Sequence, residues 1–256
     1  MKLFDKKTSV FRHLLDVRVR FGAGFLVLFD PDRITAKSAA RQARVCEEAG
    51  VDAILIGTSL MMGNGFDAFV RAVAGHISIP VILFPGEKSQ VSEHADAILF
   101  LSLVSGRNPN ALIGEQVIAA PIIKSMGLEP IPTAYMFIES GNITSAQFIS
   151  DTRPIPREKP DIAMAHALAG EYLGMDLVYL EAGSGAKYSV PESLIQALHG
   201  YISIPMIVGG GIRSPEEARR KVEAGASFIV TGNVIEERRD PALVRAFAEA
   251  IHIHGK

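Results

Sequence analysis

The run Tyr179-Leu-Glu-Ala-Gly-Ser-Gly185, followed by Ile207-Val-Gly-Gly-Gly-Ile212 and Ile229-Val-Thr-Gly-Asn233, decides the fold. Each segment is an apolar β-like stretch that ends in small residues and leads into a helix-like pattern. Gly183, Gly209 and Gly232 recur at about the length of one strand-helix unit. Three successive parallel strands would therefore bring bare backbone to one rim of a sheet. N–H groups beside helix N-termini suit a phosphate. In a barrel, the loops after strands seven and eight are the usual place for one.

Outward from these segments, short apolar runs occupy 25–30, 52–57, 80–84, 96–102, 132–138, 177–181, 205–208 and 228–231. Helical patterns such as 35–49, 64–74, 191–199, 215–224 and 241–252 alternate with them. Eight such units predict an α/β chain forming one domain over 1–256, a modified (β/α)8 TIM barrel. The doubly wound alternative lacks a G-x-G-x-x-G after the first strand. Only 85–95 separates the third strand from the fourth, so the third outer helix is expected to be missing or degenerate. Ser214-Pro-Glu-Glu217 reads as an N-cap, a first-turn proline and a capping-box glutamate, and Asp240-Pro241 repeats the cap. His76-Ile-Ser-Ile-Pro-Val-Ile-Leu83 echoes Tyr201-Ile-Ser-Ile-Pro-Met-Ile-Val208, as two duplicated half-barrels would. The polar, proline-rich 151–160 is expected on the surface as the fifth strand-helix loop.

A net charge of -2 offers no basic excess, which argues against nucleic acid as a partner. Cys46, the only cysteine, excludes an internal disulfide and reads as an inert buried thiol. No apolar run reaches the roughly 20 residues of a membrane span, and no signal-peptide core follows Met1. A cytoplasmic protein is expected. A mean hydropathy of +0.23 fits buried parallel strands, to which an apolar ligand groove would add.

Two rim carboxylates carry the chemistry. Asp30, in Leu28-Phe-Asp-Pro-Asp-Arg33, stands at the end of the first strand, with Thr58 and Ser59 at the end of the second. A hard cation such as Mg²⁺ takes such oxygens together with substrate phosphates; the plain alternative is a turn and helix cap, a role that suits Asp32 better. Glu181 ends the sixth strand, where it can accept or direct a hydroxyl proton, or pair with a neighbouring cation. Tyr179 shares its side of the strand. Arg107 reads equally as an anion contact or a solvated loop residue. His252 and His254 read as surface groups at a frayed end.

Taken together, residues 28–32, 52–59, 81–86, 95–109, 131–135, 179–185, 208–213 and 231–233 resemble the geranylgeranylglyceryl phosphate synthases, prenyltransferases of archaeal ether-lipid biosynthesis. The resemblance covers nearly the whole chain. It implies a barrel that has lost its third outer helix, with sn-glycerol 1-phosphate and a long-chain prenyl diphosphate as substrates and Mg²⁺ on the diphosphate. It further implies Asp30 and Ser59 as metal ligands. Tyr179, Leu180, Glu181, Ala182, Gly183, Ser184, Gly185, Gly210, Gly211, Gly232 and Asn233 would hold glycerol phosphate, with Glu181 facing its attacking hydroxyl and Tyr179 beside it. Members often have lysine where this chain has Arg33. A homo-oligomer, dimeric or hexameric, is expected, with transient membrane contact. The competing readings are a heptaprenyl-transferring relative, a phosphate-binding barrel of amino-acid biosynthesis and a non-catalytic phosphate sensor.

Overall fold

Eight apolar runs become strands, most of them β-branched or leucine-rich and buried on both faces. A computed structural model describes residues 9–238 and 240–254. In it β1 (Gly24–Phe29), β2 (Ala53–Ile56), β3 (Val81–Leu83), β4 (Ala97–Leu103), β5 (Glu129–Phe137), β6 (Leu177–Glu181), β7 (Met206–Gly209) and β8 (Phe228–Thr231) pair in sequence order and close, β8 against β1, into a parallel barrel. The start of the chain, where no signal peptide is read, lies outside the described residues.

Around the barrel run α1 (Val10–Phe21), α2 (Ala36–Glu48), α3 (Phe66–Ala74), α4 (Glu115–Met126), α5 (Ser145–Ile149), α6 (Pro160–Tyr172), α7 (Glu192–His199), α8 (Pro215–Glu223), α9 (Asn233–Arg238) and α10 (Pro241–Ile251). No helix lies between β3 and β4, as the short connection predicts. A π-helical turn, Asn110–Gly114, precedes α4. None of the described helices is long and apolar enough to cross a membrane.

Alternating strand residues fill the interior, among them Leu26, Leu55, Leu99, Ile131, Leu177 and Ile207. Val10 and Leu14 of α1 join this cluster. This helix was not legible as an element, and a carboxylate far along the chain holds its start. Glu129, at the start of β5, accepts from the Ser9 hydroxyl at 2.5 Å, the Val10 N–H at 2.5 Å and the Phe11 N–H at 3.1 Å. α1 therefore closes the amino end of the barrel and leaves the carboxyl rim open.

The duplicated half-barrels reappear as matching contacts. Ser78 donates its N–H to Glu47 of α2 at 2.8 Å, and Ser203 donates its N–H to Glu171 of α6 at 3.1 Å. Both serine hydroxyls bond the same carboxylates. One Ile-Ser-Ile-Pro turn is thus held the same way before β3 and before β7.

Three local readings change. Ser214 caps α8 by accepting the Glu217 N–H at 3.2 Å, but the Glu217 carboxylate goes elsewhere, to the Arg213 N–H and the Ser189 hydroxyl. Asp32 does not cap α2, whose cap is Thr35; it accepts from Met62 and Gly63 instead. His252 is not a surface group: its Nε2 lies 2.9 Å from Asp52, and its ring stacks on Phe21. Asp240 caps α10 as expected, and the fifth loop bridges back to the barrel through Ile138 and Ile155. Burial pushes the Cys46 thiol up to about 12, consistent with an inert group.

Candidate active site

Strand register sets the site's levels. Tyr135 and Ile207 flank Tyr179, while one level higher Phe137 and Gly209 flank Glu181. Glu181 thus ends β6 at the rim with its side chain buried. The Gly183 N–H donates to its Oε1 at 2.5 Å, which fixes the carboxylate. No cation pairs with Glu181 among the described residues. Burial pushes its pKa up to about 7, and the Gly183 N–H and the Tyr179 hydroxyl offset part of that rise. A carboxyl poised there can exchange protons near neutral pH.

Tyr179 lies beneath. It is fully buried, stacked on Phe84 at 4.9 Å and edge-on to Tyr135 at 5.4 Å. Burial, with the nearby Glu181 charge, raises its pKa well above 10, so it keeps its proton. Its place is under the carboxylate, outside the lining of the open cavity.

Two of the three consecutive glycines meet different constraints. A Cβ on Gly209 would come within 2.5 Å of the Tyr179 hydroxyl, so this residue makes room for the ring. Gly210 has a φ of +83°, and a Cβ there would come within 2.4 Å of both Glu181 Oε1 and the Gly183 nitrogen. Gly210 thus lets β7 close against the Glu181–Gly183 turn.

A cavity of about 400 Å³ opens at the rim and continues down the outside of the barrel. Asp30, Ser59, Ser184, Gly232 and Asn233 line its polar end. Its apolar end lies against Ile98 and Phe100 of β4 and Ala119 and Ile123 of α4. These side chains are open to the cavity because no helix covers the β3–β4 side. The missing helix has become a groove.

The two halves of the predicted site meet through a chain of contacts. Arg33 lies 3.5 Å from Asp30 Oδ2 and donates to the Ser184 hydroxyl at 3.3 Å; that hydroxyl donates to Asn233 Oδ1 at 3.2 Å. Thr58 donates its hydroxyl to Asp30 at 3.2 Å. Leu180 and Ala182 pack their side chains into the core between barrel and helices, so only their backbone is available at the rim. Gly185 lies in the same turn as Ser184. Gly211 borders a separate cleft beyond that turn. Arg107 is taken up by the Gly106 carbonyl at 2.7 Å and by His166, outside the cavity lining.

Two further residues at the site carry no motif. Gln90, fully buried in the loop that replaces the helix, accepts the Thr58 N–H at 3.0 Å and donates to the Thr58 carbonyl at 2.8 Å. Glu236 of α9 accepts the Asp30 N–H at 2.9 Å, and burial raises its pKa. Glutamine in a polar loop and glutamate on a short helix give no local signal for either role.

A sequence model of the PcrB family matches residues 17–251. The chain is 45% identical to the geranylgeranylglyceryl phosphate synthase of Chitinophaga pinensis over 244 residues, 95% of this chain and 96% of that protein. It is 51% identical to the enzyme of the same name from Pyrococcus furiosus over 211 residues, 82% of this chain and 83% of that protein. The crystal structure of (S)-3-O-geranylgeranylglyceryl phosphate synthase from Thermoplasma acidophilum, in complex with its substrate sn-glycerol-1-phosphate, superposes with a TM-score of 0.90 at 34% identity, covering 96% of this chain and 98% of that one.

Proposed function

The chain belongs to the PcrB family, and from that premise we propose that it is a prenyltransferase that forms an ether bond between sn-glycerol 1-phosphate and geranylgeranyl diphosphate, releasing diphosphate, in membrane-lipid biosynthesis. One observation carries the reading. The buried Glu181 carboxylate lies inside a glycine-rich rim, and the neighbouring rim residues Ser184, Gly232 and Asn233 line the polar end of a cavity that continues as an apolar groove. Relatives in both Chitinophaga and Pyrococcus carry the same name, so family membership does not make the chain archaeal.

The rim backbone from Gly183 to Gly185, with Gly210, Gly211, Gly232 and Asn233, seats the acceptor's phosphate. Its hydroxyl oxygen bonds the allylic carbon as the bond from that carbon to diphosphate breaks. The hydroxyl proton passes to the Glu181 carboxylate. Tyr179 supports Glu181 from below. The prenyl chain lies in the groove between β4 and α4, where each buried methylene contributes about 0.8 kcal/mol.

Asp30 and Ser59 present hard oxygen donors to the polar end of the cavity, a set that suits Mg²⁺ shared with a substrate diphosphate. No group of three metal-binding side chains occurs among the described residues, so diphosphate oxygens would complete the coordination. When bound, the ion would neutralise charge on the departing diphosphate. Gln90 holds the Thr58 backbone and so positions this end. A cytoplasmic homo-oligomer, dimer or hexamer, completes the proposal, and the exposed Val117, Ile118 and Ile122 of α4 offer an apolar face for assembly or for brief membrane contact.

The test is incubation with sn-glycerol 1-phosphate and a series of prenyl diphosphates, with and without chelator. Ether product with the geranylgeranyl donor, lost on chelation, is expected. Strong preference for the heptaprenyl donor would replace the donor assignment, turnover insensitive to chelator would remove Mg²⁺, and no turnover with any donor would favour a sensor.

A further inference from the structure

The turn after β6 faces two ways. Ser184 borders the reaction cavity, whereas Lys187, Tyr188 and Ser189 border a separate cleft of about 200 Å³ outside the barrel. Its polar lining holds five cationic side chains and two carboxylates, an excess of three positive charges on a chain whose net charge is -2. Like charges held together are unfavourable unless something neutralises them.

The internal partners do not. Arg213 donates to the carbonyls of Ala186 and Lys187, at 2.7 and 3.2 Å, and to no carboxylate. Lys221 and Arg220 share a single oxygen of Glu192, at 2.9 and 3.3 Å. The Glu217 carboxylate is occupied by the Ser189 hydroxyl and the Arg213 N–H. Arg157 lies across the Tyr188 ring, with only the highly exposed Glu158 near it at 3.7 Å, and its Nη1 is buried with no hydrogen-bond partner. The first turn of α7 opens onto the same cleft with Pro191 in place of a side-chain cap.

We propose that this cleft is a second anion site, built for a phosphate or diphosphate group and distinct from the acceptor's seat. The volume admits a phosphoryl headgroup, and the lining offers nothing to a prenyl chain. Arginine forks supply the bidentate geometry that phosphate oxygens take. The occupant is either free diphosphate or the headgroup of an anionic lipid. Because one turn borders both sites, with Ser184 on the reaction cavity and Lys187, Tyr188 and Ser189 on the cleft, occupancy is coupled to acceptor affinity.

Calorimetric titration separates the sites. The full chain is first saturated with sn-glycerol 1-phosphate in metal-free, low-salt buffer; the heat of that step tests the acceptor's seat by itself. Inorganic diphosphate is then added. Binding at one further site is expected, at least tenfold weaker in Arg157→Ala/Lys187→Ala, while that variant keeps wild-type prenyl transfer. If the double variant melts early, the exposed Lys187→Glu carries the same expectation. Flotation with vesicles of phosphatidylglycerol and of phosphatidylcholine identifies the source. Charge-dependent flotation lost in the variant marks a lipid headgroup, and diphosphate binding without flotation marks the free anion. Absence of a second diphosphate site, or equal affinity in wild type and both variants, overturns the proposal.

Discussion

At the residue scale, Glu181 has two linked consequences. Its folded-state pKa of about 7 lies above the ordinary 4.5 because burial disfavours the charge. Below about 4.5 the carboxyl is protonated whether the chain is folded or unfolded. Between 4.5 and 7 the folded chain alone keeps the proton, so this group's contribution to stability falls as pH rises and is lost above 7. The shift corresponds to about 3 kcal/mol at most. Glu181→Gln is therefore expected to melt higher than wild type at pH 8 and level with it near pH 4.5, read by thermal denaturation; a lower melting point at pH 8 would contradict the burial argument. Since the proton acceptor must be ionised, kcat/KM for the acceptor should fall as pH drops below about 7, and a flat profile would count against Glu181 as the base. Gly210→Ala, which adds a Cβ against Glu181 Oε1 at a positive φ, should weaken acceptor binding at least tenfold, measured by titration with sn-glycerol 1-phosphate.

At the scale of elements, what was legible was local. Eight strands, the glycine-tipped ends of β6, β7 and β8, and the absent helix all follow from neighbouring residues, because strand period and turn chemistry act over a few positions. What escaped depends on distant partners. Ser9 caps α1 locally, but the acceptor that holds Ser9 and takes the next two N–H groups is Glu129, about a hundred and twenty positions along the chain. Glu236 reaches Asp30 across 206 positions, and Gln90 clamps Thr58 across 32. Arg33 resembles a departure from a family pattern until Asp30 and Ser184 are seen on either side of it. Glu129→Ala removes an acceptor from three donors at the start of α1. It should cost about 1–2 kcal/mol of stability by chemical denaturation and leave kcat within twofold, because the amino end lies opposite the site.

At the scale of the whole molecule, loss of one outer helix joins a polar rim to an apolar groove, so a single cavity suits a substrate that is ionic at one end and hydrocarbon along its length. Ala119→Phe in α4 should fill that groove, raising KM for the geranylgeranyl donor at least tenfold and for a shorter donor much less; equal effects on both would place the chain elsewhere. The central claim is that one turn both seats the acceptor's phosphate and handles its proton. Its most direct test is the single-turnover rate of ether formation in Glu181→Gln, with acceptor affinity measured on the same preparation. The account predicts a rate at least a hundredfold below wild type with glycerol phosphate affinity within threefold. A rate close to wild type, with the acceptor still bound, would contradict it.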